Sequence, residues 1–85
     1  MKKGTEIPEA EKIELERFIK GRIAEAGEST KSTVEKMNVQ YPDRTEYYAT
    51  TAQQIKAGNM PLWKIVRLAD AIGYKLKWEK KDTHI

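Results

Sequence analysis

Apolar residues recur at three- and four-residue steps in several stretches of the chain, and each stretch is closed by glycine or proline. The first predicted helix opens at Pro8, which suits a first turn because its missing N–H costs nothing there. It carries Leu15, Phe18, Ile19, Ile23 and Ala26 on one face and ends at Gly27, a left-handed cap. Ser29 or Thr30 caps a second, shorter helix whose apolar anchors are Val34 and Met37. Pro42 disfavours helical geometry at Tyr41, so this helix finishes by about Gln40 and residues 40–45 form a loop.

A third helix begins at Thr45 or at Thr50, places Tyr48, Ala52 and Ile55 on one face, and stops at Gly58. Pro61 introduces a fourth helix with the stripe Leu62, Ile65, Val66, Ala69 and Ile72, ended by Gly73, with Tyr74 folding back on the last turn. Tyr74, Leu76 and Trp78 then alternate with Lys75, Lys77 and Glu79, the period of a half-buried strand. The expected fold is therefore all-α, four short helices with a short C-terminal β-strand, in one domain spanning residues 1–85. Residues 1–6 are a frayed start and 79–85 a polar tail.

An 85-residue chain has room for a single core. Its 16 Lys+Arg against 13 Asp+Glu give a net charge of +3, and the excess is not spread evenly. Residues 1–40 balance eight basic against eight acidic side chains, whereas residues 41–85 hold eight against five. That balance permits a nucleic-acid partner without requiring one. Cysteine is absent, which removes disulfides and thiolate metal sites. No apolar run is long enough for a signal peptide or a membrane span, so a soluble cytoplasmic protein is expected. His84, the single histidine, sits next to the C-terminal residue. No nucleophile–base pair, phosphate loop or metal-ligand spacing is present, so the expectation is a protein that is not an enzyme and needs no cofactor, metal or small-molecule ligand.

Gln53-Gln54-Ile55-Lys56-Ala57-Gly58, followed from Leu62 by the run Leu68-Ala69-Asp70-Ala71-Ile72-Gly73-Tyr74, resembles the phage-repressor (Cro-like) helix-turn-helix family. The likeness covers about 30 residues closely and the first two helices loosely; small prophage-type members also finish in a short strand. It implies a repressor-like helix-turn-helix fold, sequence-specific binding of double-stranded DNA, and a small transcriptional regulator of prophage or mobile-element type. The chain departs from the family in the segment Asn38 to Ala49, which is longer than the usual turn between the second and third helices and holds Tyr41, Pro42, Tyr47 and Tyr48.

On that resemblance the third helix enters the major groove. Gln53 and Gln54 suit adenine, whose N6 and N7 a carboxamide can bond as a pair. Thr50 and Thr51 reach a phosphate or a thymine methyl, or alternatively cap the helix. Lys56 takes a phosphate, and Asn59 and Lys64 another at the start of the fourth helix. The plainer readings are that Gln53, Gln54 and Lys56 are solvated surface groups and that Thr50 and Thr51 are helix caps. Tyr41, Tyr47 and Tyr48 beside Arg44 offer a stacking platform for single strands, or else cover the core edge. Trp63 is either a rim residue or part of a partner surface. A lone strand leaves its backbone unpaired, so Tyr74, Leu76 and Trp78 are expected to form a homodimer contact; the competing arrangement pairs them with Thr5–Ile7 or lays them over the core. The alternative function is a protein-interaction module, antitoxin-like or a partner-binding subunit, that does not read DNA.

Overall fold

The computed structural model describes residues 7–81, which form four helices. In order these are α1 (Glu9–Glu25), α2 (Thr30–Gln40), α3 (Tyr48–Ala57) and α4 (Leu62–Ala71). α1 packs chiefly on α3 and more lightly on α2, while α2 also bears on α3 and α4. The core gathers Ile23 of α1, Met37 of α2, Ile55 of α3, Met60 of the α3–α4 turn and Leu68 of α4, with Ile19, Ile65 and Ile72 packed against it.

The helix ends follow from local chemistry. Pro8 is the N-cap of α1, and Glu9 and Glu11 place negative charge in its first turn, where the helix dipole favours it. Gly27, at φ 77°, ends the helix region: its N–H bonds the Ala24 carbonyl and the Glu28 N–H bonds that of Ile23. Ser29 caps α2 by accepting from the Ser32 N–H at 3.0 Å, and Ser32 Oγ accepts from the Ser29 N–H at 2.9 Å, so a serine fills the role usually taken by Glu or Gln. α2 ends at Gln40, just ahead of the Tyr41-Pro42 bond, as the proline requires. At the end of α4 the Tyr74 N–H bonds the Ala69 carbonyl at 2.8 Å across Gly73, so the chain does fold back as its sequence suggests.

Three expectations are corrected. α3 begins at Tyr48 with Tyr47 as an N-cap lacking a side-chain bond, so neither Thr45, Thr50 nor Thr51 caps it. Its buried face is Thr51 and Ile55, an i, i+4 pair, rather than the stripe beginning at Tyr48, which is exposed. Finally, no β-strand occurs among the described residues: beyond Tyr74 no backbone group of 75–81 finds a backbone partner there. A strand exists only as part of a ladder, and among the described residues Tyr74, Leu76 and Trp78 have none. Thr5, which with Ile7 was a possible partner, lies outside the described residues.

Candidate functional site

The long α2–α3 connection is a strap tied down by polar side chains. Asn38, near the end of α2, grips the backbone of Glu46 twice: its Oδ1 accepts from the Glu46 N–H at 2.7 Å and its Nδ2 donates to the Glu46 carbonyl at 3.0 Å. The Glu46 carboxylate then turns inward, 7% exposed, and meets the ammonium of Lys64 on α4 at 3.1 Å; Arg44 Nε reaches it from outside at 3.0 Å. Lys64 in turn donates to Gln54 Oε1 of α3 at 2.6 Å. A single polar chain thus runs from α2 through the strap to α4 and on to α3. Low local dielectric strengthens such bonds and makes each of them costly to lose.

A second set of contacts fastens the outer edge of the strap. Asp43 takes both terminal nitrogens of the Arg67 guanidinium, at 3.3 and 3.2 Å. That bonding, and then the positive charge itself, holds the Asp43 carboxyl below its ordinary range. The Arg67 guanidinium lies 4.5 Å from the Tyr41 ring centroid and 5.8 Å from that of Trp63, while Arg44 sits 4.6 Å from Trp63. Tyr41 Oη donates to Asp70 at 2.5 Å, and Gln40 bonds the same carboxylate. The carboxylate acceptor raises the Tyr41 phenol above its ordinary value.

This strap decides where each predicted site residue stands. Thr50, Gln53 and Lys56 form an exposed i, i+3, i+6 row on the outer side of α3, and Asn59 is exposed just past Gly58. α3 has no acidic residue, and Lys56 makes no ion pair among the described residues. Thr51, by contrast, is buried, with its hydroxyl unpartnered, so it cannot reach an external phosphate or base without leaving the core. Lys64 is 2% exposed and its ammonium is bound on two sides, which corrects its assignment to a phosphate. Gln54 is intermediate: its oxygen must face Lys64, because an ammonium only donates, and this leaves the carboxamide NH₂ as its unused group.

Of the tyrosines, Tyr47 and Tyr48 are exposed beside the start of α3, whereas the ring of Tyr41 is engaged with Arg67. Trp63 belongs to the strap contact. Leu76 and Trp78 are exposed, and Tyr74 Oη donates to Glu25 of α1 at 2.9 Å. Glu46, Asn38 and Asp43 are the participants that sequence reasoning passed over. Only the cluster of polar residues after Pro42 hinted that this loop was more than a connector. Among the described residues no group of three or more His, Cys, Asp or Glu is placed to hold a metal ion, and no helix is long and apolar enough to cross a membrane. Comparison with protein-family models, curated proteins and solved structures finds no match.

Proposed function

We propose that the protein binds duplex DNA through α3 and acts as a small transcriptional regulator, with α2, the strap and α3 forming a repressor-like helix-turn-helix whose turn has been lengthened. The observation that carries this reading is the exposed row Thr50, Gln53 and Lys56 on a helix whose opposite face, Thr51 and Ile55, is locked into the core. A row of hydroxyl, carboxamide and ammonium, unopposed by any acid on the same helix, is suited to base edges and phosphates.

The two glutamines would read different edges. Gln53 makes no side-chain bond among the described residues, so its donor and acceptor are both available and a paired contact with adenine is open to it. Gln54 has given its oxygen to Lys64 and offers donors only. It therefore favours an acceptor edge, such as guanine N7 and O6 or thymine O4.

Selection of bound duplexes from a random pool, with salt dependence measured on the winners, is the primary test. Gln53→Ala should then weaken the selected site by about 1–3 kcal/mol and leave non-specific binding nearly unchanged. Gln54→Glu keeps a partner for Lys64 but replaces donors with acceptors, so preference at one base should move toward cytosine, whose N4 donates. Equal losses on selected and random duplexes would refute base reading by α3.

The second reading, a protein-interaction module, is favoured by one observation: Leu62, Val66, Leu76 and Trp78 form an exposed apolar surface on the side of α4. A chain that selects no duplex sequence at low salt would belong to that class.

A further inference from the structure

The apolar side chains along α4 do not all face the core. Leu62 is 64% exposed and Val66 45%, and the segment after Gly73 returns beside them, so that Leu62, Val66, Leu76, Lys77 and Trp78 line a groove of about 320 Å³. Trp78 is 96% exposed. The segment also has an unused edge, since its backbone groups from Lys75 onward make no backbone hydrogen bonds among the described residues. An apolar groove, a projecting indole and an open backbone edge thus lie together on one surface.

We propose that this surface is covered by a second copy of the chain, with the two 75–79 segments paired antiparallel about a two-fold axis at Lys77 and each Trp78 seated beside the partner's Leu76. A second copy fits because one chain supplies both the knob and the groove that receives it, the condition for a contact in which the same patch meets itself. Charge fixes the register. With the axis at Lys77, Lys75 faces the partner's Glu79 twice, and Leu76 faces the partner's Trp78 twice beside the groove they line with Leu62 and Val66. The two Lys77 side chains meet at the axis, each with Glu79 of its own chain 3.3 Å away to offset it. An axis at Leu76 would instead place Lys75 against the partner's Lys77 twice, and an axis at Trp78 would place Lys75 against the partner's Lys81 and Leu76 against the partner's Lys80. The Trp78 axis also pairs Lys77 with the partner's Glu79, but only the Lys77 register gives every apolar side chain an apolar partner while joining basic to acidic.

The chain has no cysteine, so single introduced thiols report the register directly. Residues opposed at the axis of an antiparallel pair lie roughly 4.5–5.5 Å apart between Cα atoms, within disulfide range. Two copies of residue 75 would be separated by four residues of strand, roughly 14 Å. Sedimentation of the full chain without DNA should give a dimer, and Val66→Glu or Trp78→Ser should give a monomer. Folding of both variants is checked by circular dichroism. Under mild oxidation Lys77→Cys should form the linked dimer at least roughly tenfold faster than Lys75→Cys or Glu79→Cys alone, while a mixture of the latter two should also link. A wild-type monomer, a folded Val66→Glu protein that remains dimeric, or single Lys75→Cys linking as fast as Lys77→Cys would each overturn the proposal. A monomer would leave a different protein as the occupant of the groove. Because no DNA is present, these outcomes are independent of whether α3 reads bases.

Discussion

The Glu46–Lys64 pair is the point at which the fold is most exposed to a single change. Both side chains are almost wholly buried, but they are not equally supported. Glu46→Ala strands the Lys64 ammonium with a single neutral acceptor, Gln54 Oε1. Removing one member of a buried ion pair costs about 3–5 kcal/mol, and the lack of any other counter-charge at Lys64 puts this change in the upper part of that range. Lys64→Met leaves Glu46 with Arg44 still at 3.0 Å on the solvent side, and the unbranched methionine fills the space of the lysine stem. Its cost should be smaller, about 2 kcal/mol, the worth of a hydrogen bond to a charged group. Replacing both, as Glu46→Leu with Lys64→Met, should recover most of the loss, because two buried charges are exchanged for apolar packing. Urea unfolding followed by circular dichroism measures all three. In thermal unfolding, about 4 kcal/mol corresponds to roughly 15–30 °C for a domain of this size. The reasoning fails if Glu46→Ala costs under about 1 kcal/mol, or if Lys64→Met is the more damaging of the two single changes.

Other consequences are smaller. The hydroxyls of Thr33 and Thr51 are buried without partners, so Thr33→Val and Thr51→Val, which keep the shape, should each be neutral or stabilising by about 1 kcal/mol; a clear loss of stability in urea would reveal a bond to the hydroxyl. Gly58 has φ 70°, and a Cβ there would stand 3.1 Å from Ile7 Cδ1, so Gly58→Ala should destabilise by about 1–2 kcal/mol in the same assay. The phenols of Tyr41 and Tyr74 are raised by the carboxylates that accept their hydrogen bonds, those of Asp70 and Glu25. Their contribution to stability is present below pH 10, the ordinary tyrosine value, and is lost as pH rises through the higher folded values. Thermal melts between pH 9 and 11.5 should show that fall, weakened in Tyr41→Phe.

Much of the helical frame is legible because it is written in local chemistry. Pro8, Gly27, Ser29, Pro42, Gly58 and Gly73 act within a turn of their own positions, and the structure places helix ends at each. The packing faces are harder to read. The spacing of Tyr48, Ala52 and Ile55 satisfied helical periodicity, yet α3 is turned so that Thr51 enters the core and Tyr48 leaves it. Lys64 reads as a surface cation in any window of its neighbours. Its burial depends on Glu46, 18 positions earlier in a loop, and no local spacing announces such a pair. The stripe of α4 likewise divides in two, with Ile65, Ala69 and Ile72 turned to the protein and Leu62 and Val66 left outside. Of the candidate recognition row, Thr50, Gln53 and Lys56 could be chosen from their residue types and spacing. The engagement of Gln54 by Lys64 could not, since it depends on how two helices cross.

The chain carries two tryptophans, and their surroundings differ as much as any two on the molecule. Trp63 is flanked by the guanidinium groups of Arg44 and Arg67, while Trp78 stands almost entirely in water. Their light emission therefore makes the strap contact and the groove separately observable without any attached dye. A Trp78→Phe chain reports only the release of residues 41–47 from α4, and a Trp63→Phe chain reports only what comes to rest against the groove beside Leu62 and Val66.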